Sequence, residues 1–180
     1  MVDSLNLINK SISSVDSNLP ANKTVVVPAS SASLWCQNDT AACDNQLMTL
    51  TDSTHPEYGT YYNWYTATAT YGTYEKTSGE TTYSICPKGW KLPSGIVSSS
   101  DWWKLYDQYH TSSAGDKGPN LLLNGFVQIS FTMQGTRGYY WSSTASSSAN
   151  AGNNTMMGTS VNPNTANQKW VGMAVRCVAQ

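Results

Sequence analysis

Apolar and polar residues alternate along the last stretch of the chain, from Trp170 to Val178. One set of alternate positions is apolar and consists of Val171, Met173, Val175 and Cys177. The other set is Trp170, Gly172, Ala174 and Arg176. Because successive side chains of a strand point to opposite faces, this pattern predicts a half-buried strand with Cys177 pointing inward.

A second alternation runs from residue 127 to residue 134. It predicts a strand whose inward side chains are Val127, Ile129, Phe131 and Met133. A turn at Gly135–Gly138 leads to an aromatic, Ser/Thr-rich strand at 139–144. These two strands are predicted to form a hairpin.

One segment has a clear helical period. Trp102, Leu105, Tyr106 and Tyr109 follow one another at i, i+3, i+4 and i+7, after a run of N-cap candidates at Ser98–Asp101. The spacing predicts a helix whose apolar stripe lies against a sheet. We expect His110, near the end of this helix, to satisfy the last carbonyl groups and to have no catalytic role.

Upstream patterns are shorter. Val25–Val27, bounded by Asn22 and Pro28, predicts a short buried strand. Residues 57–70 are aromatic and β-branched, which predicts a strand or a strand pair, and the Gly/Ser/Thr-rich residues 71–82 predict a loop. The spaced apolar residues of 1–20 suit either a short amphipathic helix or a frayed tail.

The segment Thr144–Lys169 is dominated by Ser, Ala, Asn, Gly and Thr. Such a composition predicts a long loop, which could be a flexible linker or a binding surface. The predicted strand at each end and the side chains of Met156, Met157 and Trp170 favour a binding surface, since a linker has little use for them.

Length and charge narrow the function classes. A chain of 180 residues suits one domain with its own core. Charged residues make up 12% and the net charge is −1, so we expect no nucleic-acid partner. No apolar run reaches the length of a membrane span, and residues 1–20 lack the apolar region of a secretory signal peptide.

Two of the four cysteines lie close together in the sequence. Cys36 and Cys43 enclose six polar or small residues, with His55 further on. The spacing matches none of the usual zinc patterns, so we expect no metal site. A local disulfide and a pair of free thiols are both open.

Several separated motifs carry a resemblance to a known family. They are YNWYTA at 62–67, CPKGWKLPS at 86–94, GYYWSSTA at 138–145, VNP at 161–163 and VRCV at 175–178. In this order they resemble the Fibrobacter succinogenes major paralogous domain, and within it the variable proteins of diversity-generating retroelements. The resemblance implies an α+β, C-type lectin-like fold of mostly short antiparallel strands and long loops with one or two helices.

The resemblance covers residues 57–179. It implies a lectin-like domain at 57–180 with a variable region at about 138–178, and an N-terminal extension at 1–56 (a tail, a strand and the Cys36/Cys43 loop) packed on that domain. The strand at Val25–Val27 is then expected to pair near the closing strand. A disulfide between Cys86 and Cys177 is implied as well, with buried free thiols as the alternative.

The resemblance also implies a function. The variable proteins bind ligands through C-terminal residues that are rewritten by adenine-directed mutagenesis, and this chain is expected to be displayed on a virion or a cell envelope. The implied partner is a protein or glycan on another surface, without a cofactor. The candidate ligand-binding positions are Ser146, Gly152, Asn153, Thr155, Met157, Ser160, Thr165, Ala166, Asn167, Trp170 and Val171. All but Met157 and Trp170 can arise from an AAC codon mutated at its adenines, and Trp170 is expected to be an exposed anchor.

Three other functions compete with this one. The strongest is a fixed-specificity cell-surface adhesion or glycan-binding module of the same family. A calcium-dependent lectin is disfavoured because Asp107 and Asp116 are the last acidic residues. An enzyme is not expected, because Ser is so frequent that a Ser/His/Asp triad could be drawn almost anywhere, and the cysteine pair of the formylglycine-generating oxidases has no counterpart.

Overall fold

The computed structural model describes residues 5–30, 35, 45–72, 75–109, 121–157 and 160–180. Its strands are β1 (Ser11–Ser13), β2 (Ser17–Asn18), β3 (Thr24–Val26), β4 (Thr49–Thr51), β5 (Thr60–Tyr62), β6 (Gly79–Glu80), β7 (Ser84–Pro87), β8 (Trp90–Lys91), β9 (Phe126–Val127), β10 (Phe131–Thr132), β11 (Gly138–Ala145), β12 (Asn150–Met157), β13 (Ser160–Gln168) and β14 (Val178–Ala179). Its α-helices are α1 (Trp64–Thr68) and α2 (Asp101–Tyr109), and a 3-10 turn spans Pro56–Tyr58. The described residues therefore form an α+β fold of mostly short antiparallel strands.

The largest sheet has the order β13-β12-β11-β6 and is antiparallel throughout. Tyr139 of β11 lies opposite Thr155 of β12, and Asn153 of β12 lies opposite Thr165 of β13. The prediction of a long loop at 144–169 was therefore wrong. The backbone of β12 pairs on both sides, and this pairing outweighs the low strand propensity of Asn, Gly and Ser.

Helix α2 covers one face of this sheet, as its apolar stripe predicted. The rings of Trp102 and Tyr140 lie 6.2 Å apart, within a small cluster that also contains Leu121 and Ala174. Asp101 fixes the start of the helix: its carboxylate accepts hydrogen bonds from the Ser94 amide (3.0 Å) and from Lys91 Nζ (2.8 Å). Partial burial opposes ionisation of Asp101, but the bonds from Lys91 and Ser94 hold its pKa below the ordinary value. His110 lies outside the described residues.

The main core lies on the other side of β11 and joins distant parts of the chain. Three buried indole groups donate hydrogen bonds to backbone carbonyls: Trp35 to Trp170 (3.1 Å), Trp64 to Ser142 (2.8 Å) and Trp141 to Tyr62 (2.7 Å). Ile12, Leu19, Val25 and Val27 belong to the same core cluster. Residues of the N-terminal segment 1–56 thus share one core with the C-terminal strands.

Residues 57–70 form strand β5 and helix α1, so the prediction of strand alone was wrong for the second half. Asn63 starts the helix, because its side chain accepts a hydrogen bond from the Thr66 amide (3.0 Å). The whole of α1 is buried. Its Thr and Tyr residues are poor indicators of a helix, and the cap and the surrounding core decide its conformation.

The predicted strand at 127–134 and its hairpin with 139–144 were also wrong. β9 and β10 pair with each other, and residues 128–130 form the turn between them. Ile129 is 61% exposed and Met133 is 43% exposed, although both were predicted to face inward. β11 pairs instead with β12 and β6.

The closing segment 170–178 is buried on both sides over most of its length. It makes isolated bridges at Gly172, Met173 and Ala174, and only Val178–Ala179 form a strand, which pairs with β8. The inward set of Val171, Met173, Val175 and Cys177 was predicted correctly. The half-buried strand was not, because Val127 and Trp35 pack directly against Gly172.

The covalent link that the resemblance implied is present. Cys86 of β7 and Cys177 form a disulfide, which ties the closing segment to the middle of the chain. Cys36 and Cys43 lie outside the described residues.

β3 pairs with β1, so the expected pairing of Val25–Val27 near the closing strand was wrong. The helix considered for residues 1–20 is replaced, over the described part, by strands β1 and β2.

Candidate functional site

A single cleft contains most of the candidate positions. It has a volume of about 390 Å³ and lies over β12 and β13. Six of the eleven candidate residues line it: Thr155, Met157, Ser160, Thr165, Ala166 and Asn167. Tyr139 also lines it, whereas its neighbour Tyr140 packs under α2, so the cleft opens on the sheet face opposite the helix.

Buried Asn153 organises the polar floor of the cleft. Its side-chain amide donates to Thr155 Oγ1 (3.1 Å), and its side-chain oxygen accepts from Asn167 Nδ2 (3.1 Å). The backbone carbonyl of Asn153 accepts from Thr165 Oγ1 (2.7 Å), which also lies 3.1 Å from Thr155 Oγ1. The side-chain amide and the backbone carbonyl of Asn153 together thus hold three cleft side chains in position.

An irregularity in the pairing of β12 with β13 lies beside this floor. The register shifts between Asn153 and Thr155, so that Thr155 faces Asn162. Asn154, at the shift, is fully buried opposite Tyr140, and neither polar atom of its side chain has a hydrogen-bond partner. A register shift of this kind changes the direction of the side chains that precede and follow it. Here it separates the polar floor around Asn153 from the other end of the cleft.

The end of the cleft beyond this floor is lined by an apolar side chain, Met157, and a positively charged one, Arg137. Met157 is 55% exposed, and Arg137 lies in the turn just before β11. Tyr139 offers little exposed surface, since it is buried and packs against Phe126 with ring centroids 4.9 Å apart. Sequence reasoning missed Arg137, Tyr139 and Asn162 as cleft residues. The registers of β11 with β12 and of β12 with β13 bring them there, and no local pattern encodes these registers.

Four of the candidate positions are buried, so their expected exposure was wrong. Trp170 is 7% exposed, because the closing segment is covered on both sides and its carbonyl is bound by Trp35. Val171 lies in the same core. Asn153 is under the cleft, and Gly152 faces away from it: a Cβ at Gly152 would lie 2.6 Å from Ile96 Cγ1.

The remaining candidate, Ser146, is exposed in the turn between β11 and β12. Its amide donates to the carbonyl of Asn150 (3.0 Å). It does not line the cleft, whose residues lie further along β12 and β13. The structure therefore brings together six of the eleven positions.

Lys169 anchors the end of β13 to another part of the chain. Its side chain is fully buried, and Nζ donates to the carbonyl of Lys76 (2.6 Å) and lies 3.4 Å from Glu75 Oε1. Nζ also lies 4.8 Å from the centre of the Trp64 ring. The ammonium therefore joins segment 75–76 to the end of the β12–β13 hairpin.

We predict that E75Q destabilises the protein more than K169M does. The glutamine leaves a buried ammonium without its counter-charge, which should lower the free energy of unfolding by about 2 kcal/mol. The methionine removes the buried charge itself, and Glu75, which is 26% exposed, can turn to solvent, so the cost should be about 1 kcal/mol or less. Urea unfolding of both variants at pH 7 measures the order, and a larger loss in K169M would contradict it.

Comparison of the chain with family models, with curated proteins and with solved structures finds no match. Over the described ranges, no three His, Cys, Asp or Glu side chains are grouped closely enough to hold a metal ion. The two described α-helices are too short to cross a membrane.

Proposed function

We propose that the protein is a ligand-binding display protein with a C-type lectin-like fold, whose C-terminal surface is diversified by adenine-directed mutagenesis from a retroelement. The ligand is a protein or a glycan on a cell or virus surface, and the chain is displayed on a virion or a cell envelope. The observation that carries the proposal is the cleft: six positions expected to vary, on two strands, converge on one concave surface.

The separation of surface from framework supports this proposal. Ser160 and Ala166 are exposed on the outermost strand of the sheet, where a different side chain meets few neighbours. The strands beneath are fixed by the buried rings of Trp64 and Trp141. Surface substitutions typically change the free energy of unfolding by less than about 0.5 kcal/mol, so binding can change while the fold is kept.

Deep sequencing of the 3′ end of the gene, across the population that carries it, tests diversification. We expect substitutions to match the adenines of a nearby template repeat and to fall at the six cleft positions. Gly152, Trp170 and Val171, which are buried, should remain constant together with Trp141 and Gly172.

A uniform 3′ end without a repeat or reverse transcriptase nearby would contradict the proposal and would favour a fixed-specificity adhesin. Substitutions spread equally over buried and cleft positions would contradict the role of the cleft. As a matched pair of variants, A166Y and V171Y insert the same ring at an exposed and a buried candidate position. Only A166Y should keep the wild-type thermal midpoint.

A further inference from the structure

The lining of the cleft contains a positively charged side chain but no negatively charged one. Arg137 is the one charged residue in its lining, and no described carboxylate forms a salt bridge with it. No Asp or Glu occurs anywhere in residues 117–180. The hairpin of β12 and β13 therefore supplies no counter-charge from its own residues.

The backbone of Arg137 is fixed at both of its polar groups. Its amide donates to the carbonyl of Met133 (2.9 Å), and its carbonyl accepts from the amide of Gly125 (2.7 Å). The side chain is half-buried and has no hydrogen-bond partner among the described residues. The fixed backbone keeps the side chain beside the cleft, and the planar guanidinium group is free to bind a carboxylate with two parallel hydrogen bonds.

We propose that the cleft binds an exposed protein segment through an acidic side chain, and that Arg137 is the fixed anchor for its carboxylate. Arg137 precedes the positions expected to vary, so it contributes the same charge whatever residues line the rest of the cleft. The inference rests on the cleft being the ligand site of the proposed function. It does not depend on how the gene is diversified.

The shape of the cleft favours a protein segment over a sugar. Sugars commonly stack on exposed aromatic faces, but Tyr139 is buried and its ring packs against Phe126. The exposed apolar group is the flexible thioether of Met157, which adapts to varied apolar side chains. Thr155, Thr165 and Asn167 supply hydrogen-bonding groups close by. The partner that fits is an Asp or Glu flanked by apolar and polar residues.

Selection from a library of random twelve-residue peptides displayed on phage tests the proposal. Peptides selected on the wild-type protein should be enriched in Asp or Glu. R137Q should lose this enrichment and bind the selected peptides about tenfold to a hundredfold more weakly, and R137K should fall between the two. K104Q is the matched control, because it removes one positive charge from α2 on the opposite side of the sheet and should leave binding unchanged.

Several outcomes would overturn the proposal. They are selected peptides without acidic enrichment, enrichment that persists in R137Q, and an array on which sialylated glycans bind while peptides do not. The variant S160W, which adds a large ring to the cleft lining opposite Met157, separates this failure from failure of the proposed function. Peptide binding that is lost in S160W but unaffected by R137Q rejects only the anchor, whereas binding that survives S160W rejects the cleft as the ligand site.

Discussion

Replacing Cys86 and Cys177 together by alanine is expected to lower the free energy of unfolding by about 4 kcal/mol. The disulfide joins residues that are 91 positions apart, so its loss frees a long loop in the unfolded chain. Alanine is the suitable replacement because both sulfur atoms are buried, and a serine hydroxyl there would need a hydrogen-bond partner. Chemical denaturation monitored by tryptophan fluorescence measures the change.

Two further measurements separate the bond from the packing of the sulfur atoms. In a background with Cys36 and Cys43 replaced by alanine, Cys86 and Cys177 are the only cysteines left. Reduction of that protein removes the bond and keeps both sulfur atoms, and it should account for most of the loss. A reduced protein as stable as the oxidised one would show that the bond contributes nothing, whatever the alanine variant does.

The elements that could be predicted from the sequence are those whose signal is local. Helix α2 carries its apolar stripe and its start signal within twelve residues, from Ser98 to Tyr109, and it was predicted correctly. The inner face of the closing segment was correct for the same reason. The disulfide between Cys86 and Cys177 followed from the resemblance alone, since neither spacing nor composition distinguishes it from another pairing.

The misses occurred where distant contacts decide the structure. In β13, Val161 and Pro163 are buried among exposed Asn and Ser residues, which is too weak an alternation to predict a strand. The opposite failure occurred at 127–134, where a clear alternation spans a turn that the pattern does not reveal. Trp170 was placed on the surface because the pattern shows which residues share a face but not how many faces are covered.

The cleft shows the same limit. Six of its residues were candidates because the resemblance implied that they bind ligand, yet only the pairing of β11, β12 and β13 shows that they share one surface. No sequence pattern marked Arg137 as a cleft residue, because it is a single basic residue in a turn. Its significance arises from its position beside a surface without acidic residues.

Gly172 has no room for a methyl group, and we expect G172A to lower the free energy of unfolding by about 3 kcal/mol. A Cβ there would lie 2.2 Å from Val127 Cγ1 and 2.7 Å from Trp35 Cζ2. The backbone cannot move away easily, because Gly172 and Val127 exchange two hydrogen bonds of 2.8 Å each. Thermal and urea unfolding of the variant measure the loss.

The double variant G172A/V127A tests whether the clash with Val127 is the cause. Truncating Val127 removes the nearest contact, so the two substitutions together should cost at least 1 kcal/mol less than the sum of the single losses, as a rough estimate for neighbours in contact. G89A is the control, since its Cβ would meet nothing within 4 Å and only its positive φ of 81° opposes the side chain. It should cost about 1 kcal/mol. Losses that simply add in the double variant, or a loss in G172A no larger than that in G89A, would show that contact with Val127 is not what makes glycine necessary at position 172.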